Sequence, residues 1–321
     1  MGVLRAENVR KSYGETIALD SVSLSVSHGE VFGLIGPNGA GKTTLVRALT
    51  GTTPVEGTVR VLGSRPTSIR KDRIGLLPQS FDPPDRLTAY ELVEYYAGLY
   101  DDPEPTAEVL ESVGMDDRAD TWYGKLSGGQ KRRTCVGITL VNDPDVLFLD
   151  EPTTGIDPAG RRALWELLER LAAGGTTILL TSHSMEEVQA LSDRVGLLQD
   201  GRLVAVGEPS TLIETYGGDS RLVIETAGVD VETAQTAVER AGFSAHHGDD
   251  EIVVTGVSPV EISTVVETIE TAGIEYGTLT WTEPTLEDVY LELTGEVFEG
   301  SRRHGGSRSI ESVSAPEELD E

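Results

Sequence analysis

The sequence has few aromatic residues, little lysine, one cysteine and no long apolar run. Hydrophobic residues make up 38% of the chain and aromatic residues only 5%, a lean supply that still suffices for hydrophobic cores. The single cysteine, Cys135, excludes an internal disulfide and a cysteine-based zinc cluster. No stretch approaches the roughly 18–20 apolar residues of a membrane-spanning helix, and the first residues lack the apolar segment of a secretory signal. We therefore expect a chain that does not itself cross a membrane.

The charge is strongly unbalanced toward acid. Asp and Glu number 54 against 26 Lys and Arg, so the formal net charge is -28, and only five of the cations are lysines. A surface this acidic repels nucleic acid and anionic lipid, and concentrated salt screens that repulsion. The composition resembles that of proteins from halophiles, and we predict such a source. It carries no information about the type of reaction.

The 321 residues are enough for two domains. The first eighty residues alternate apolar and polar positions as antiparallel strands do, and residues 82–123 have helical spacing. Strands and helices then alternate to about residue 215, a pattern typical of a largely parallel sheet. We predict an α/β domain over residues 1–216, a small α+β domain over 219–296 and a disordered tail over 297–321.

The segment GPNGAGKTT follows a short apolar strand, VFGLIG, and opens a helix. It fits the pattern G-x-x-x-x-G-K-[ST] of a phosphate-binding loop, or P-loop, in which backbone N–H groups face phosphate oxygens. We predict that nine residues bind the nucleotide: Gly36, Pro37, Asn38, Gly39, Ala40, Gly41, Lys42, Thr43 and Thr44. Lys42 is expected to reach the β- and γ-phosphates, and the Thr43 hydroxyl to bind Mg²⁺.

A second apolar strand, VLFLDE over residues 146–151, ends in two carboxylates. Beside a P-loop, Asp150 is expected to lie near the metal ion, and Glu151 to orient or deprotonate a water molecule. Together the two segments predict an ATPase that uses ATP and Mg²⁺. They do not choose among the many P-loop ATPases.

The stretch KLSGGQKRR over residues 125–133 narrows the choice. Its LSGGQ resembles the signature of ABC-type ATPases, and the resemblance extends over residues 1 to about 215 with the other family elements in order. It implies that Tyr13 stacks on adenine, that Gln79 joins the nucleotide and metal site to a helical region, that Asp157 belongs to the D-loop, and that the switch histidine His183 lies near the γ-phosphate. It also implies a RecA-like core with an antiparallel β subdomain and an α-helical subdomain.

The family resemblance explains why one chain has two segments that could bind phosphate, the P-loop and the LSGGQ signature. In such ATPases two domains pair head to tail, and ATP lies between the P-loop of one and the signature of the other. Ser127, Gly128, Gly129 and Gln130 are therefore expected to contact ATP held by the partner's P-loop. Because the chain has one P-loop, we expect it to pair with a second copy or with a related ATPase.

Three functions remain open for an ATPase of this type: the motor of a transporter with a separate permease, a protein acting on ribosomes, and a chromosome or DNA-repair protein. The single ATPase domain and the short interval between P-loop and signature favour the first, and the net charge of -28 disfavours nucleic acid as a partner. The segment EPTLEDVYLELTG, residues 283–295, resembles the ending of ATPases of ABC-2-type exporters, including multidrug, sodium and copper-related systems. This resemblance implies a membrane permease as partner and a place on the cytoplasmic face of the membrane; the exported substance is not readable.

Overall fold

The computed structural model describes residues 2–226, 231–248 and 250–295. Thirteen strands are β1 (Leu4–Tyr13), β2 (Thr16–Val26), β3 (Val31–Ile35), β4 (Glu56–Val61), β5 (Ile74–Leu77), β6 (Val146–Asp150), β7 (Thr177–Ser182), β8 (Arg194–Gln199), β9 (Arg202–Gly207), β10 (Arg221–Thr226), β11 (Ser244–His247), β12 (Glu251–Thr255) and β13 (Tyr276–Thr282). Ten α-helices are α1 (Lys42–Leu49), α2 (Ala89–Ala97), α3 (Thr106–Ser112), α4 (Gly128–Ile138), α5 (Pro158–Ala173), α6 (Met185–Leu191), α7 (Pro209–Tyr216), α8 (Val231–Arg240), α9 (Ile262–Thr271) and α10 (Leu286–Thr294). Within the described ranges, no helix combines the length and apolarity needed to cross a membrane.

The central sheet has six strands in the order β5-β6-β7-β3-β8-β9. Its strands are parallel except for β9, which pairs antiparallel with β8. Every residue of β3, β6 and β7 is buried, as expected for apolar runs covered on both faces. The prediction of a largely parallel α/β sheet is therefore confirmed.

A second, antiparallel sheet has the order β2-β1-β4. Its buried side chains share one hydrophobic cluster with α1, in which Leu4 and Leu19 accompany Leu45 and Leu49. Strand β2 of this sheet packs against the segment that follows β3, where Gly41 lies next to the Ala18 carbonyl. It confirms the antiparallel strands predicted near the start of the chain.

The region predicted to be helical contains α2 and α3, which pack with α4. Leu92, Val109 and Val136 are buried in the same cluster as one face of the central sheet. Thr134 of α4 and Thr139, the C-cap that follows it, are buried, and their hydroxyls donate to the carbonyls of Gln130 and Val136. Their polarity is thus satisfied within the helix, at no cost in unpaired groups.

The small unit comprises β10 to β13 with α8 and α9, in the sheet order β11-β12-β10-β13. The succession of strand, helix, two strands, helix and strand is that of a ferredoxin-like fold. Its core is separate from the others and includes Leu222, Val238, Ile252 and Val265. The sequence predicted this unit as α+β but missed the short strand β11.

The last helix, α10, lies in the core of the first unit. Leu286 and Val289 are fully buried in the same cluster as Leu212 of α7, and α10 contacts both α7 and α6. An ion pair of 3.0 Å between Arg221 and Asp288 joins the start of the small unit to the same helix. The small domain predicted over residues 219–296 included this segment, whereas the apolar face of α10 is buried against α7. The tail predicted over residues 297–321 lies outside the described residues.

We predict that Leu286→Ala lowers the free energy of unfolding by about 2–5 kcal/mol, because it removes a fully buried side chain and leaves a cavity. Chemical denaturation followed by circular dichroism measures the loss. Leu291→Ala on the same helix is the control, since Leu291 is 37% exposed and its loss is expected to cost less than about 1 kcal/mol. Equal losses in the two variants would contradict the packing of α10.

Candidate functional site

Four loops meet at one edge of the central sheet. They follow the carboxyl ends of β3, β5, β6 and β7, and the register places Ile35 opposite Ser182, and Thr181 opposite Asp150. Strand β5 lies next to β6, with Leu77 opposite Leu149. The sheet therefore brings together the P-loop (residues 36–44), Gln79, Glu151 and His183, which are far apart in sequence. Crevices at this edge are where open α/β sheets bind ligands.

The P-loop turns sharply into α1. Gly41 has φ 108°, and a Cβ atom there would lie 2.3 Å from the Ala18 carbonyl oxygen, so no other residue fits. The Lys42 ammonium is buried and donates to the carbonyls of Gly36 at 2.6 Å and Pro37 at 3.1 Å. Burial lowers the pKa of Lys42, and the carboxylates of Glu151 and Asp150 oppose that shift. A cation held by loop carbonyls beside a helix N-terminus can exchange them for phosphate oxygens.

Asp150 is a buried carboxylate shared by three elements. One oxygen accepts from the Thr43 hydroxyl at 2.9 Å, and the other accepts from the Thr181 hydroxyl. The hydroxyl of Thr43 and the carboxylate of Asp150 are hard oxygen donors, the class that Mg²⁺ prefers. In the described part of the chain, no group of three His, Cys, Asp or Glu side chains could hold a metal ion. The donor set thus fits a cation that completes its shell with phosphate and water oxygens.

Glu151 has an uncommon backbone conformation, with φ 53°. Its N–H donates to the Thr181 carbonyl at 3.1 Å, and its carboxylate accepts from the Thr154 hydroxyl at 3.3 Å. Nδ1 of His183 lies 3.6 Å from the same carboxylate oxygen, and half of the His183 side chain is exposed. Gln79 is exposed at the end of β5. Glu151, His183 and Gln79 thus follow the ends of β6, β7 and β5, at the same edge of the sheet as the P-loop.

Tyr13 lies at the end of β1, close to the P-loop. Its ring is 48% exposed, and the Lys11 ammonium lies 5.0 Å from the ring centroid. Hydrogen bonding to Thr53, and more weakly to Thr44, lowers the pKa of the Tyr13 hydroxyl. An exposed ring in this place offers a face for a planar base.

The signature (residues 126–130) forms the N-terminus of α4. Ser127 and Gln130 form a capping box, in which Gln130 N–H donates to the Ser127 hydroxyl at 3.3 Å and Ser127 N–H donates to the Gln130 side chain at 2.9 Å. The N–H groups of Gly128 and Gly129 are the first two of the helix and have no intrahelical acceptor. The signature thus presents two free donors of the kind that anions bind at helix N-termini.

The signature does not meet the P-loop of its own chain. Among the described residues, no hydrogen bond or ion pair joins residues 126–130 to residues 36–44. A Cβ atom on Gly129 would lie 3.3 Å from Cα of Ile156, so the signature packs beside the segment that leads to Asp157. Asp157 is the N-cap of α5, and its side chain accepts from Gly160 N–H at 2.9 Å.

The sequence predictions missed three side chains at this edge. Thr181 holds Asp150, and Arg132 of α4 donates to several carbonyls next to Glu151. Glu187 is fully buried on α6 and accepts from the Ser182 hydroxyl at 2.5 Å and from Trp165 Nε1 at 3.4 Å. Burial raises the pKa of Glu187. In the sequence, the one signal that could have identified Glu187 is a charged residue at an inward-facing position of a helix.

Known proteins resemble the chain over almost its whole length. Residues 19–154 match the family model described as ABC transporter. The chain is 34% identical to the linearmycin resistance ATP-binding protein LnrL of Bacillus subtilis (strain 168), over 92% of this chain and 99% of that protein. It is 38% identical to the Nod factor export ATP-binding protein I of Sinorhizobium fredii (strain NBRC 101917 / NGR234), over 90% of this chain and 84% of that protein.

Solved structures resemble about two thirds of the chain. A nucleotide-free ATP-binding cassette from an ABC transporter has a TM-score of 0.58 and 27% identity, over 65% of this chain and 92% of that one. The ADP conformation of the ATP-binding cassette MJ1267 has a TM-score of 0.59 and 28% identity, over 67% of this chain and 94% of that one. A dimeric structure of the bacterial cassette MJ0796 has a TM-score of 0.58 and 25% identity, over 64% of this chain and 98% of that one.

We predict that Glu187→Gln raises the melting temperature at pH 8 and that the difference from the wild type shrinks toward pH 4. The folded pKa of Glu187 lies above its unfolded value, so the wild type loses stability as the pH rises through this range. Gln keeps the shape and removes the ionisation. Melting curves across pH test this, with the exposed Glu186→Gln on the same helix as control. A pH-independent difference would contradict the prediction.

Proposed function

The chain belongs to the ATP-binding proteins of ABC transporters, and from this premise we propose that it hydrolyses ATP to drive export of a substrate through a separate ABC-2-type permease. The observation that carries the proposal is the convergence of Lys42, Asp150, Glu151 and His183 at one edge of the sheet. The similarity to whole ATP-binding subunits of a resistance system and an export system supports the direction of transport.

In the proposed reaction, Lys42 and the backbone N–H groups of residues 38–44 hold the β- and γ-phosphates, and Tyr13 stacks on adenine. Glu151 orients a water molecule and accepts its proton, while the water oxygen bonds to the γ-phosphorus and the bond to the ADP oxygen breaks. His183 lies beside the γ-phosphate, which its distance of 3.6 Å from the Glu151 carboxylate supports.

Thr43, Asp150 and Gln79 are the residues that we propose to hold Mg²⁺. The hydroxyl, carboxylate and amide oxygens that they offer are all hard ligands. The ion supplies positive charge that offsets the charge of the phosphates. Gln79, on a loop after β5, joins this site to the helical region that contains α2.

We propose that two chains pair head to tail around ATP. Ser127, Gly128, Gly129 and Gln130 then contact the γ-phosphate on the partner's P-loop, and Asp157 lies at the interface. Three findings support the pairing: the two free N–H donors at the start of α4, their separation from the chain's own P-loop, and the dimeric form of a similar cassette. Both half-sites belong to one sequence, so a homodimer is the simplest assembly.

The permease is the proposed membrane partner, and the proposed location is the cytoplasmic face of the membrane. The resemblance of residues 283–295 to the endings of ABC-2-type ATPases supports this subtype. We also propose a halophilic source, because the net charge of -28 is tolerated best where salt screens it. Assays of the purified protein should therefore be run in concentrated salt.

We predict that Glu151→Gln lowers kcat for ATP hydrolysis by at least about a hundredfold and accumulates as a dimer when Mg²⁺ and ATP are added. Gln retains the shape of Glu but cannot accept the proton, so ATP stays between the two chains. Phosphate release and size-exclusion chromatography measure the two effects, with the exposed Glu166→Gln on α5 as control. An ATP-bound Glu151→Gln variant that remains monomeric would argue against the paired site.

We predict that Ser127→Arg abolishes ATP hydrolysis in a homodimer, because the long side chain fills the space of the partner's γ-phosphate. In a mixed dimer with Lys42→Ala, one site carries both changes and the other carries neither. Activity should therefore return to at most half of the wild-type rate, or remain absent if the two sites must act together. Full activity of the Ser127→Arg homodimer would show that the signature does not contact nucleotide.

A further inference from the structure

Arg132 links the signature helix to the backbone around Glu151. Its Nη2 donates to the carbonyls of Asp150 at 2.5 Å and Glu151 at 2.8 Å, and its Nε donates to the Pro152 carbonyl at 3.2 Å. Its Nη1 donates to the Pro78 carbonyl at 3.2 Å, one residue before Gln79. One guanidinium thus contacts the two segments that follow β5 and β6.

The backbone that Arg132 holds is strained. Glu151 has φ 53°, in the left-handed region, which is unfavourable for a residue with a Cβ atom and persists only if the surroundings fix it. The Arg132 bonds reach the carbonyls of Glu151 and of both its neighbours. The Thr181 carbonyl receives the Glu151 N–H from the other side. The direction of the Glu151 side chain is therefore set by a backbone conformation that Arg132 stabilises.

The charge and shape of arginine both matter at this place. Burial lowers the pKa of Arg132, whereas Cys135, Asp150 and Glu151 oppose that shift. The planar guanidinium has five donors in a fixed fork, and four carbonyls occupy them here. A lysine ammonium has three donors at one point and cannot span the same carbonyls.

We propose that Arg132 is a positioning residue that fixes the left-handed conformation of Glu151 and thereby directs its carboxylate at the attacking water. The proposal rests on the role of Glu151 in ATP hydrolysis given above. Because Arg132 lies two residues after Gln130 on α4, it also ties the start of that helix to the site of its own chain. The signature used by one nucleotide is thus joined to the base used by the other.

The test compares Arg132→Lys with Arg133→Lys. Arg133, its neighbour on α4, also donates to backbone carbonyls, but to those of Val113 and Gly114 in the helical region. We expect Arg132→Lys to lower kcat at least about tenfold, since small misplacements of reacting groups have effects of this size, and to change KM for ATP less than about threefold. Arg133→Lys is expected to keep kcat within about twofold. A kcat of Arg132→Lys equal to that of Arg133→Lys would overturn the proposal.

A double-mutant cycle separates positioning from general damage. If Arg132 acts through Glu151, Arg132→Lys should lower kcat little further in the Glu151→Gln background. A full further tenfold loss there would overturn the proposal, and so would a parallel loss of ATP affinity. Arg132→Gln, which keeps a planar donor group, serves as the second variant if Arg132→Lys does not fold. If Glu151→Gln retains wild-type activity, the proposed function fails. If Glu151→Gln is inactive but the Arg132 variants keep wild-type activity, only the present inference fails.

Discussion

The buried carboxylate of Asp150 is the constraint on which the site depends. A carboxylate that is 2% exposed must be hydrogen-bonded, because an unpaired buried charge costs several kcal/mol. Thr43 and Thr181 provide its partners, so helix α1 and strand β7 are both held against the end of β6. The same requirement fixes the distance between the P-loop and Glu151, which follows Asp150 directly. Chemistry at the γ-phosphate depends on that distance.

The proposed division of the site between two chains has a counterpart in the hydrogen bonds of one chain. Helix α4 presents free N–H groups at its start, where a second chain's nucleotide is proposed to bind. About one turn further along, the same helix contacts the backbone of Glu151 through Arg132. In the proposed pairing, the two half-sites of a chain serve different nucleotides, yet they are parts of one rigid connection. Val136 of this helix is buried in the same cluster as Val109 of α3, and such close packing leaves little freedom between the two half-sites.

Local patterns predicted the parts of the structure that local chemistry determines. The P-loop was identified because its glycines and Lys42 lie within nine residues, and the buried strands because they are continuous apolar runs. Arg132 and Glu187 were not assigned, because the hydrogen-bond partners of both side chains lie on other elements. Those of Arg132 are also 18 or more residues away in sequence. The strain at Glu151 was also unreadable, because nothing in its type indicates a positive φ. Such features depend on which elements meet, and that is known only from the fold.

The attachment of the small unit is another feature that depends on which elements meet in the fold. The sequence placed residues 283–295 in the small domain and gave no sign of the surface that they cover, and the structure buries α10 against α7 and α6. Helix α6 begins two residues after His183, and Glu187 on α6 accepts from Ser182, the residue before His183. A packed core resists independent movement of its members. Helix α10, which follows the last strand of the small unit and pairs with Arg221 at its start, therefore anchors that unit to the wall of the site that carries His183.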